Sequence, residues 1–85
     1  MVLTAEHKAL LSAKTASIQN SFNLFASERS YMALYFTNIN SPYLTFGNSA
    51  TFPTTINIGR NQSTLVAVYD TSQDYTTQTN AFLAA

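Results

Sequence analysis

Between Leu10 and Met32 the chain repeats a residue pair every seven positions: Leu10-Leu11, Ser17-Ile18, Leu24-Phe25 and Tyr31-Met32. Seven residues make about two helical turns, so the pairs fall on one stripe of a helix, which Phe22 widens. Neither Gly nor Pro interrupts the chain from Thr4 to Arg29. Thr4 is a good N-cap residue, and Glu6 in the first turn complements the helix dipole. The pattern predicts a helix over about 4–29.

The stripe also limits what that helix can pack against. A two-stranded coiled coil wants apolar residues at both core positions of each heptad. Here the halfway positions are Lys14, Ser21 and Glu28. A helix lying across a sheet, or a loose trimeric bundle, fits better than a zipper. The far face carries Ser12, Gln19, Asn23 and Ser27 in place of the Lys–Glu pairs of a lone surface helix. That composition is compatible with a solvated face or with contact to a neighbouring copy.

The second half reads as β. Tyr31 to Ile39 could continue the helix, but its aromatic and β-branched content favours a strand buried on both faces. Asn40-Ser41-Pro42 and Gly47-Asn48-Ser49 are turn signals around a short strand at 43–46. A third strand is expected over 54–58, with Pro53 placing it at an edge or starting it after the proline. Gly59-Arg60-Asn61-Gln62 reads as a hairpin loop. The strand over 64–69 has no polar residue between Leu65 and Tyr69, which suits a central position. The regular spacing predicts an antiparallel meander over 30–70. The tail, 71–85, is polar until Ala81-Phe82-Leu83 and reads as a flexible end, an extended arm anchored by Phe82 and Leu83, or a short helix capped by Ser72. The expected fold class is α+β in a single domain, 1–85: one long helix, three to four strands (about 31–39, 43–46, 54–58 and 64–69) and a C-terminal arm.

An 85-residue chain without cysteine has limited means of stabilising a small core. His7 is its only histidine, so a zinc site is not expected. Association with other chains is the remaining route. Charged residues make up 9% of the sequence, and the net charge is zero. Four scattered bases cannot neutralise a run of phosphates, so neither nucleic acid nor an acidic membrane is an expected partner. Ser, Thr, Asn and Gln fill 33 of the 85 positions instead. Near-zero net charge favours association over solubility. Neither a signal-peptide run nor a membrane-spanning run is evident in the sequence.

The chemistry-bearing residues are sparse. Glu6 and His7 are adjacent, which on a helix points them about 100° apart. Asp70 and Asp74 lack the Asp-x-Asp-x-Asp-Gly pattern of a calcium loop. There is neither a Gly-x-Ser-x-Gly elbow nor a phosphate loop. Five tyrosines and six phenylalanines could stack on sugars, but in a small β protein most are core. Asn61-Gln62-Ser63 matches a glycosylation sequon that reads as unused.

The sequence therefore predicts a non-catalytic structural protein without cofactor or metal. The expected role is as a component of a multi-subunit assembly, most concretely a bacteriophage virion protein such as a capsid cement or decoration protein. Its expected partners are copies of itself or a larger structural subunit. The expected location is the virion, after synthesis in the host cytoplasm, with an extracellular location as the alternative. The expected interface residues are Leu10, Leu11, Ile18, Phe22, Leu24, Phe25, Phe82 and Leu83. A secreted-type binding module (a small lectin or adhesin domain) and a membrane-active amphipathic protein are the alternatives.

Overall fold

The computed structural model describes residues 3–37 and 41–85. Two helices, α1 (Ala5–Phe25) and α2 (Tyr75–Ala84), flank four strands: β1 (Tyr31–Phe36), β2 (Pro42–Gly47), β3 (Thr55–Ile58) and β4 (Asn61–Asp70). All pair antiparallel in the order β2-β1-β4-β3, a curled sheet in a small α+β fold.

Helix α1 begins as the sequence predicts. Thr4 is extended, and its Oγ1 accepts the His7 amide at 3.1 Å. The helix ends earlier than expected, at Phe25 rather than near Arg29. Residues 29 and 30 are claimed by the sheet end instead. The Thr71 amide donates to the Ser30 carbonyl, and the Thr71 hydroxyl reaches the Arg29 and Ser30 carbonyls. The chain needs these few residues to turn from helix into β1. Tyr31-Met32, the last pair of the repeat, is thus strand.

Every residue of β1 from Met32 to Phe36 is buried, which places it centrally. Met32, Leu34 and Phe36 share one face (period two), and Ala33 and Tyr35 the other. On the first face lie Leu11, Ile18 and Phe22 of α1, with Ala67 and Tyr69 of β4 in the same core. The sheet is not the expected meander. Two hairpins, β1–β2 and β3–β4, join through the β1–β4 pair, with a register shift between Leu34 and Tyr35. Residues 48–54 must therefore cross from one sheet edge to the other. They pass over the face away from α1, where the Tyr35 hydroxyl donates to the Pro53 carbonyl at 2.7 Å. Phe52 fills the space beside Gly47. Pro53 precedes an edge strand, and both halves of that expectation hold.

The β3–β4 turn is tighter than expected: Ile58 pairs with Asn61, leaving Gly59-Arg60 as the loop. Gly59 has φ +61°, a left-handed conformation that costs little without a Cβ. The expected 31–39 strand ends at Phe36, and its last two residues lie outside the described ones.

The expected arm over 71–85 is a helix. Its cap is Asp74, not Ser72: the carboxylate accepts the Thr77 amide and the Thr77 hydroxyl, both at 2.9 Å. Gln78 pins α2 to the end of β4, accepting the Asp70 amide and donating to the Asp70 carbonyl, both at 2.8 Å. Tyr75, Thr79 and Phe82, at helical spacing, face the core. The Tyr75 ring lies parallel to that of Tyr69 at 5.1 Å, with Phe22 and Phe82 against the pair. The hydroxyls are satisfied inside: Tyr69 with Thr79 at 2.7 Å, and Tyr75 with Thr15 at 2.9 Å. A seam with little apolar width thus becomes a core because α2 closes over it.

Candidate assembly surface

The eight expected interface residues divide by their position along the fold. Leu11, Ile18 and Phe22 are buried in the chain's own core, so the middle of the seam docks in cis. Leu10, Phe82 and Leu83 are half-buried and pack against that core. Leu24 and Phe25 stand out, 63% and 44% exposed. They belong to the last turn of α1, just before the chain leaves the helix.

Phe25 packs its ring 5.4 Å from Phe46 of β2, tilted by 56°. Phe46 and Leu44 point to the helix side of the sheet and are partly covered by the core. On the opposite face of the same strand Tyr43 is 43% exposed, its ring edge-on to Tyr35. These residues therefore flank one sheet edge: Phe25, Leu44 and Phe46 on one face, Tyr43 on the other. Sequence reading did not include Tyr43, Leu44 and Phe46. The signal available was the apolar alternation of residues 43–46, whose exposure depends on a strand order the sequence does not state.

β2 carries no charged residue. Natural sheet edges are commonly guarded by lysine, by a bulge, or by brevity, because unpaired backbone groups recruit further strands. β2 has six residues and one guard, Pro42, at its first position. Leu24 and Phe25 are uncharged too, so the surface is apolar and neutral on both flanks.

Polar clusters lie elsewhere. A groove of about 440 Å³ at the C-terminal end of α1 is lined by Glu28, Arg29, Tyr31, Asn48, Asp70 and Ser72 among others. The Asp70 carboxylate there is engaged by the Ser72 hydroxyl and amide and by the Gln73 amide group, which hold its pKa below the usual value. The Thr77 amide and hydroxyl do the same for Asp74. Asp70 and Asp74 thus serve a turn and a cap. Burial pushes the Tyr69 phenol well above its ordinary range. His7 stacks on Phe36 at 6.4 Å, beside a groove of about 270 Å³ that Glu6 also lines. Among the described residues, three metal-binding side chains do not come together, and no helix is long and apolar enough to cross a membrane.

No family model, curated protein or solved structure matches the chain.

Proposed function

We propose that this is a small non-catalytic structural protein that works by packing into a multi-subunit assembly, as a cement or decoration protein of a virion does. The observation that carries the reading is the neutral apolar edge of Leu24, Phe25, Tyr43 and Phe46 on a chain with eight charged side chains in all. Exposed apolar side chains gathered on both faces of one sheet edge suit an interaction site, and interface cores are depleted of charge. The composition points the same way. A surface of hydroxyls and amides hydrogen-bonds to neighbours without the desolvation cost of charges. Its partners are then uncharged protein surfaces, either copies of itself or a larger subunit.

The test is fractionation of the source material by size, under native conditions. The expected result is a chain that sediments with particles far heavier than its own 9.3 kDa, in a fixed ratio to a major subunit. Recovery in the light fraction alone overturns the proposal.

A further inference from the structure

The outer edge of β2 can be read bond by bond. The Thr37 amide donates to the Ser41 carbonyl at 3.1 Å, in the same register as the six β1–β2 pairs. In an antiparallel ladder, hydrogen-bonded pairs alternate with pairs that are not bonded. The bonded pairs are therefore Tyr35–Tyr43, Ala33–Thr45 and Tyr31–Gly47. It follows that Pro42, Leu44 and Phe46 turn their backbone groups outward. Pro42 has no amide hydrogen, so the proline sits where the ladder to β1 needs no donor. Among the described residues, no backbone group pairs with this outer side.

We infer that this edge takes a second copy of the same strand, β2 against β2, antiparallel about a two-fold axis with Thr45 facing Thr45. The inference rests on the assembly reading above and names its contact. Three arguments select the occupant and the register. First, the open edge calls for an extended segment, and β2 presents such a segment to itself, as a two-fold interface requires. Second, β2 carries no charge, so two copies of the strand meet without repulsion, whereas a charged partner strand would lose hydration with no counter-charge on β2 to gain. Third, the Thr45-centred register lets Leu44 and Phe46 exchange all their outward bonds. A Leu44-centred register would leave the Phe46 carbonyl facing a proline that cannot donate. In the favoured register, Leu44 of each copy lies across from Phe46 of the other, beside Phe25.

The area sets the strength. Leu24, Phe25 and Tyr43 expose together about 300 Å² per copy, against about 800 Å² per partner in a stable interface. Strand pairing adds to this, yet the contact stays in the weak class. That suits one joint among several in an assembly, where linked contacts multiply.

The chain has no cysteine, so a single introduced thiol reports on one contact. Thr45→Cys is expected to form a disulfide-linked dimer under mild oxidation, on the order of a hundredfold faster than a collision control. That control is Asn57→Cys, an exposed position on β3 at the opposite edge. As a second measurement, Thr45→Lys and Thr45→Glu chains are each expected to stay monomeric by sedimentation at about 100 μM and to associate when mixed, because opposite charges then face each other. Equal cross-linking of the two cysteine variants, or no association of the mixture, overturns the pairing. Overturned pairing with retained particle co-sedimentation leaves the assembly role standing. Efficient Thr45→Cys cross-linking without co-sedimentation does the reverse.

Discussion

Phe22 and Phe25 sit on the same helix, three residues apart, and belong to the same apolar stripe. Phe22 is 5% exposed and Phe25 is 44% exposed. Their environments explain the difference. Phe22 lies where β4 and α2 converge, with Tyr69 and Tyr75 rings at 6.1 and 5.4 Å. Phe25 has Phe46 of an edge strand and then the end of the helix. At 1.5 Å per residue, the 21 residues of α1 are about 31 Å long, enough to run past the end of a six-residue strand of about 20 Å. A periodic seam does not by itself define a core. Whatever closes over the seam does, and here the closing element is α2.

Phe22→Ala and Phe25→Ala put this contrast to its strongest test. Truncation of Phe22 is expected to cost about 3–5 kcal/mol, because the cavity opens inside a ring cluster with no room to relax. Truncation of Phe25 is expected to cost about 1 kcal/mol, since much of its ring already meets water. Urea denaturation of both variants measures the difference. Equal losses would mean that the two ends of the seam are equally structural.

The next largest effect lies in the ring cluster. Tyr69→Phe removes a buried hydroxyl bonded to Thr79 and leaves Thr79 unpaired, an expected loss of about 1–3 kcal/mol. The same phenol makes stability sensitive to alkali. Burial raises its pKa in the folded chain. The unfolded phenol releases its proton near pH 10, so the stabilisation is complete below that pH and declines as the pH climbs above it. Thermal melts from pH 8 to 11 are expected to show a fall that Tyr69→Phe flattens.

These same elements show what was legible in the sequence and what was not. Leu11, Ile18 and Phe22 declared a helix face because their spacing follows the helical period, and Leu65–Tyr69 declared a central strand by its unbroken apolar run. α2 was only one of three readings of the tail because Thr79 takes a core position. Thr79 is buried and its hydroxyl bonds to that of Tyr69, so a core position reads as polar. The strand order was hidden for a different reason. It depends on the crossover at 48–54, fixed by a Tyr35–Pro53 bond between residues 18 apart, which no local pattern encodes. The candidate surface inherits that gap. That Phe46 lies on an edge follows from topology, and which seam residues stay exposed follows from where α2 stops covering them.

Asp74→Ala tests the element that closes the core. Loss of the cap leaves the first turn of α2 without its acceptor and is expected to lower stability by less than Tyr69→Phe does. Both Asp70 and Asp74 have pKa values lowered by hydrogen bonds in the folded chain. Their stabilisation is therefore present above the unfolded value of about 3.9 and is lost as the pH falls through the folded values. The acid limb of a pH–stability curve is expected to become shallower in Asp74→Ala. An unchanged limb would show that the cap plays no part in holding α2 over the seam.

The smallest expected effect is the one that separates the two ends of the seam most sharply. Leu24 is 63% exposed, so Leu24→Lys removes little buried area and should change folding stability by no more than about 0.5 kcal/mol. A core position could not accept a lysine at that cost, because a buried ammonium loses its hydration. At an assembly surface the same substitution carries charge into a contact that has none, so it should weaken association while the melt stays where it was. Denaturation and sedimentation on one sample read both quantities. A stable variant that associates like the parent would remove Leu24 from the surface and leave the edge of β2 to carry it alone. A variant that loses stability by several kcal/mol would place Leu24 with Phe22, and the contrast between the two ends of α1 would fail at its most exposed residue.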